Sequence, residues 1–109
     1  MGEEKKKEKL LSLKAMFQYM SSDIDKIAEG EAVIAVNTEE LIISQQFKEP
    51  YIIKLIDVLE INPTDYKLVI PLSPNGKLII TELGYEFENF ARILKDARNE
   101  ILAKYLLME

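Results

Sequence analysis

Carboxylates are the groups in this chain whose type and spacing could do chemistry. They fall in three local sets: Glu39-Glu40, Asp57 with Glu60, and Glu82 with Glu86 and Glu88. Two or three of them converging on one pocket could hold a hard cation or divide acid and base roles at a glycosidic bond. The chain has no His and no Cys. That excludes disulfides, thiolate metal sites and nucleophilic catalysis by Cys or by a Ser–His pair. The acids and bases that remain are Asp, Glu, Lys and Tyr, most of which need strong perturbation to work near neutral pH. Each set also has a plainer explanation. Glu39-Glu40 falls in a turn and is solvated there, while Glu86 and Glu88 fall at a helix start, where the dipole favours acids. Asp57 interrupts an apolar stretch, and such a residue more often marks a solvent-facing position than a catalytic base. The expectation is a protein that is not an enzyme and carries no cofactor and no metal.

Other chemistries leave equally little trace. The net charge is −5, whereas nucleic-acid binding needs a positive footprint on one face. The five tyrosines and four phenylalanines do not alternate with basic residues as a stacking platform would require. One basic cluster exists, Lys5-Lys6-Lys7 with Lys9, but Glu3, Glu4 and Glu8 interleave it. It reads as a solvated segment before it reads as a phosphate or anionic-lipid patch. No phosphate loop, dinucleotide fingerprint or calcium loop is present.

The elements that must position these residues can be read from periodicity. At 109 residues the chain has room for one core. No apolar run reaches the roughly 20 residues needed to span a bilayer; Tyr51–Ile61 is broken by Lys54, Asp57 and Glu60. No signal peptide is visible, so a cytoplasmic location is expected. Abundant Ile, Lys and Glu without Cys or Trp lean towards a thermophilic source. Leu10, Leu13, Phe17, Met20, Ile24 and Ile27 recur at three and four residues, which predicts a helix over 4–20 and a second over 23–29, stopped by Gly30. Strands are expected at Glu31–Val36, Leu41–Gln46, Tyr51–Ile61 (long and bent), Tyr66–Leu72 and Lys77–Leu83, separated by turn residues. Ser73-Pro74-Asn75-Gly76 is the strongest hairpin signal. From Tyr85 to Met108 the pattern is one long amphipathic helix, its stripe formed by Phe87, Phe90, Leu94, Ala97 and Ile101.

This order resembles a known superfold. Ile56–Ile61, Tyr66–Ile70, the hairpin Ser73–Gly76, Leu78–Ile80 and Glu86–Phe90 follow one another as in the C-terminal half of pleckstrin-homology-like domains, including the GRAM type. The resemblance covers roughly residues 31–101 and is one of pattern. It implies an α+β domain: a bent antiparallel meander of five or more strands, capped at one end by a long C-terminal helix and preceded here by an N-terminal helix. One or two of its strands are hidden, the region Phe17–Ile27 being a candidate. Phosphoinositide-binding members carry clustered Lys and Arg in the first hairpin loop. The stretch matched to it, Asn37-Thr38-Glu39-Glu40, is acidic, so lipid binding there is not expected. Protein binding is what the resemblance then implies.

The helix end supplies the candidate site. From Ile101 the apolar residues widen to Leu102, Tyr105, Leu106, Leu107 and Met108, more than a helix on a sheet needs to bury. The excess is expected to dimerise, to receive the N-terminal segment or to meet another protein. Leu102, Tyr105, Leu106 and Met108 are the partner-binding candidates, with Leu10, Leu13 and Phe17 as their possible complement. The expected organisation is a charged N-terminal helix, linker or docking segment over 1–22 and one domain over 23–109, cut from a longer protein. The expected function is non-catalytic protein–protein interaction, as a homodimer or with another protein. The alternative is an anionic-lipid or small-ligand binder using Lys5–Lys9 and the open end of the sheet.

Overall fold

The computed structural model describes residues 9–21, 26–73 and 75–107. Seven strands form one curled antiparallel sheet: β1 (Lys9–Ser21), β2 (Lys26–Asn37), β3 (Glu40–Ser44), β4 (Tyr51–Lys54), β5 (Asn62–Thr64), β6 (Lys67–Pro71) and β7 (Gly76–Thr81). Their spatial order is β4-β3-β2-β1-β7-β6-β5. The one α-helix among the described residues, α1 (Phe87–Leu107), follows β7 through a 3-10 turn at Gly84–Glu86. The α+β class, the meander and the C-terminal helix agree with the sequence reading. The described strands number seven rather than five, the additional ones being β1 and β5.

Among the described residues there is no N-terminal helix: Lys9–Ser21 is a strand in the middle of the sheet. It pairs with β2 from Lys9↔Asn37 to Met20↔Lys26, and with β7 from Met16↔Thr81 to Ser21↔Gly76. The residues fit two periods at once. Leu10, Leu13, Phe17 and Met20 match a helical stripe, but Leu11, Leu13, Ala15, Phe17 and Tyr19 alternate, and these are the ones that face the core. Pairing on both sides overrides the helix propensity of Leu, Lys and Met. The second expected helix fails likewise where it is described. Ile27–Glu29 lies in β2, and Gly30 sits mid-strand opposite Phe17 with φ 129°. Residues 4–8 and 23–25 of those two expected helices lie outside the described residues.

Asn37 ends β2 as the sequence predicts. Its Oδ1 accepts hydrogen bonds from the backbone N–H of Glu39 (2.8 Å) and Glu40 (2.7 Å), an Asx turn that aims β3 back along β2. The long strand expected over Tyr51–Ile61 is broken. β4 ends at Lys54, and Leu55–Asp57 forms a 3-10 turn in which the Leu55 N–H reaches Glu39 O at 2.9 Å. The chain then crosses to the other half of the sheet. Leu59 N–H bonds Pro71 O (2.9 Å), Ser73 N–H bonds Asp57 O (2.7 Å), and Val58 bridges Leu72. These bonds close the gap between β4 and β6. Asp65 and Tyr66, both with positive φ, form the two-residue turn between Thr64 and Lys67, so Tyr66 belongs to the turn rather than to the strand expected there.

One core unites both halves of the sheet with α1. Ile34, Leu41, Ile43, Leu55, Leu68, Ile70, Leu78, Ile80, Phe90 and Leu94 are fully buried in it. α1 contributes Phe90, Ala91, Leu94, Ala97 and Ile101, close to the expected stripe, with Phe87 half-buried at its edge. Arg98 fastens the helix to the crossing segment: Nε donates to Val58 O at 2.7 Å and Nη2 to Leu59 O at 2.8 Å. Hydrogen bonds from a charged donor are each worth about 1.5–3 kcal/mol when partly buried. Arg98→Met, which keeps the stem and removes the donors, is expected to lower unfolding free energy by about 2 kcal/mol in urea titration. A change below about 0.5 kcal/mol would mean water replaces these bonds without loss.

Candidate functional site

The carboxylates do not assemble. Glu39 and Glu40 flank the turn after β2, Asp57 closes the 3-10 turn with its carbonyl bonded to Ser73, and Glu60 is exposed beyond it. Glu82, Glu86 and Glu88 are exposed around the start of α1, where Asn89 Nδ2 donates to Glu86 Oε1 at 3.3 Å. Among the described residues no group of three acids could hold a metal ion. What the fold builds instead is a set of shallow surfaces around α1.

α1 runs past the body of the domain. Ile101 is the last buried residue of those described; beyond it Tyr105 is 51% exposed, Leu106 73% and Leu107 87%. Leu102 is half-buried. At 100° per residue, Leu102 and Leu106 lie one turn apart on one side of the helix, roughly opposite Ile93 and Glu100. Tyr105 instead lines a groove of about 540 Å³ with Ile101, Lys104, Ile56, Lys54 and the Asx-turn glutamates.

The candidates named from sequence therefore separate. Leu102, Tyr105 and Leu106 sit together at the helix end. Leu10, 39% exposed, lies beside Ile93, Asp96 and Ala97 on the other side of α1, in a groove of about 280 Å³. Leu13 is partly buried and packs on the core, and Phe17 is 2% exposed and forms part of it. Both are inward-facing strand positions, so the surface proposed as complement to the helix end contracts to Leu10. Met108 lies outside the described residues, as do Lys5, Lys6 and Lys7; Lys9 opens β1 in an exposed position. The first hairpin loop is also reassigned. It lies between the end of β1 at Ser21 and the start of β2 at Lys26, whereas Asn37-Thr38-Glu39-Glu40 joins β2 to β3.

Sequence reasoning passed over Gln45 and the edge of β2 beside it. Gln45 Nε2 donates to the carbonyls of Glu29 and Glu31, each at 3.4 Å. The signal available was Gly30 between two glutamates, a glycine within a strand that admits close approach of another group. A Cβ there would lie 3.2 Å from that amide nitrogen. Phe47, in the left-handed region with φ 63° and almost fully exposed, marks where the chain turns away after β3.

No protein-family model and no curated protein matches this chain. Among solved structures it is similar to the N-terminal PH domain of Vps36, with a TM-score of 0.72 at 11% identity over 89% of this chain and 83% of that one. It is also similar to the C-terminal domain of an unknown protein from Leishmania infantum, with a TM-score of 0.59 at 9% identity over 84% of each chain. The curled sheet with its C-terminal helix is a pleckstrin-homology-like fold. No described helix is long and apolar enough to cross a membrane.

Proposed function

We propose that this chain is a non-catalytic protein-interaction module whose partner surface is the end of α1, formed by Leu102, Tyr105 and Leu106. The observation that carries the reading is the burial profile of the helix. Its stripe enters the core as far as Ile101, and the turns that follow expose consecutive large apolar side chains. Such residues contribute about 1.5–3 kcal/mol each when fully buried, so a helix end of this composition favours a covering partner.

The partner is a second copy of this chain. Two such helix ends crossing antiparallel, centred on Lys104, place Leu102 of one on Leu106 of the other, and the reverse contact follows from the two-fold axis. Tyr105 then lies beside the axis, where aromatic anchors are common. The interface is small, so the association is weak and concentration-dependent.

Light scattering over a concentration series tests this. The mass is expected to rise from 12.6 kDa towards twice that value between about 10 μM and 1 mM. A mass fixed at one chain throughout would overturn self-pairing.

A further inference from the structure

A second surface, independent of the helix end, lies along β2. β3 pairs only with the last part of that strand, from Val36↔Leu41 to Val33↔Ser44. From Lys26 to Ala32, β2 is paired with β1 on one side, and among the described residues no strand pairs with it on the other. The carbonyls of Glu29 and Glu31 point to that open side, and what meets them there is the Gln45 side-chain amide.

Gln45 is an incomplete substitute for a strand. Both of its bonds are 3.4 Å, long against the usual 2.9–3.0 Å for N–H···O. Its Oε1 is buried without a hydrogen-bond partner, where a true strand would offer a carbonyl to an edge N–H. Lining the same side is a groove of about 510 Å³ that includes Lys14, Glu31, Val33 and Ser44. An open edge of this kind is the standard template for strand addition.

The side chains indicate which strand fits. Glu29, Glu31 and Val33 all stand on the outer face, exposed, with Glu31 only loosely paired to Lys14 at 4.0 Å. A second copy of β2 adding antiparallel would set glutamates opposite glutamates, which disfavours self-pairing here. We infer that the open edge of β2 takes an extended basic peptide of another protein, added as a strand with Lys or Arg facing Glu31, and that Gln45 holds the place until it binds.

The test is titration of isotope-labelled full chain with a synthetic octapeptide of alternating Lys and Val, followed by backbone and side-chain amide NMR. Shifts confined to residues 27–33, 44–46 and the Gln45 amide are expected, with saturation that an alternating Glu-Val peptide does not reproduce. Gln45→Ala should tighten binding about threefold by removing the competitor, and Glu31→Lys should weaken it about threefold to tenfold. Equal shifts with the acidic peptide, shifts centred on α1, or no shift at millimolar peptide would overturn the inference. So would tighter binding by Glu31→Lys in a chain whose unperturbed spectrum shows it folded. Shifts of the same residues on dilution without peptide would assign the edge to self-pairing instead and would equally overturn it.

Discussion

Phe90→Ala is expected to lower the unfolding free energy by about 3–5 kcal/mol, the range for emptying a well-packed aromatic site. In thermal denaturation of a domain this size that is a fall of about 12–20 °C in Tm. The size of the effect comes from position. Phe90 is fully buried in the first turn of α1, and it is the largest of the completely enclosed side chains. The core it enters draws on both halves of the sheet, with Ile34 and Leu41 from one side and Leu68, Ile70 and Leu78 from the other. Removing it weakens the attachment of the one helix to the whole meander. A loss below about 1 kcal/mol would mean that α1 rests on the sheet without being keyed into it.

The second large effect concerns association rather than folding. Leu102→Asp combined with Leu106→Asp is expected to leave the circular dichroism spectrum unchanged and to weaken self-pairing at least about 100-fold. In the antiparallel arrangement each copy contributes both leucines, so four apolar side chains are replaced by like charges in one small interface. Even about 3 kcal/mol of lost burial is a factor of about 100 in Kd. Leu106 is mostly exposed and lies beyond the last buried residue, so its replacement disturbs no core contact. Leu106→Asp alone, which spares half-buried Leu102, should retain the Tm and still lose most of the association. An unchanged mass profile for both variants would place the partner surface elsewhere.

How far the sequence foretold this structure depends on which signals competed. The pairing of β6 with β7, the strand around Leu41–Ser44 and the helix after Gly84 were legible because local turn chemistry and periodicity agree there. The Asx turn at Asn37 was legible for the same reason. β1 was not, because its residues satisfy a helical and an alternating pattern together, and only its neighbours in the sheet decide between them. The break at Leu55 was hidden too. The β-branched run allows a bend but not its conversion into a 3-10 turn, which is held by a bond to Glu39, sixteen residues earlier in the chain. Tyr66 in the left-handed region could not be inferred, since an aromatic residue is a poor occupant of a position that favours Asn or Gly.

The candidate site divides along similar lines. The excess apolar surface at the end of α1 is a property of one helix, so spacing alone exposed Leu102, Tyr105 and Leu106. Which residues lie opposite them is a property of the whole fold. Once Lys9–Ser21 is a strand, alternation sends Leu13 and Phe17 inward and leaves Leu10 on the far side of α1. The open edge of β2 needed the knowledge that β3 is shorter than its partner, which hydrophobic patterning does not encode.

The absence of Cys from the chain makes the most direct measurement straightforward. Leu102→Cys and Leu106→Cys are made separately, mixed, and oxidised under mild conditions at about 1 mM, the upper end of the range in which the proposed pairing is expected. Antiparallel pairing centred on Lys104 brings the two positions within the 4.4–6.8 Å Cα separation that a disulfide accepts. The expected result is a mixed 102–106 cross-linked dimer formed in preference to either 102–102 or 106–106. Equal yields of all three products, or none above those from a distant exposed Tyr85→Cys control, would contradict the helix-end interface.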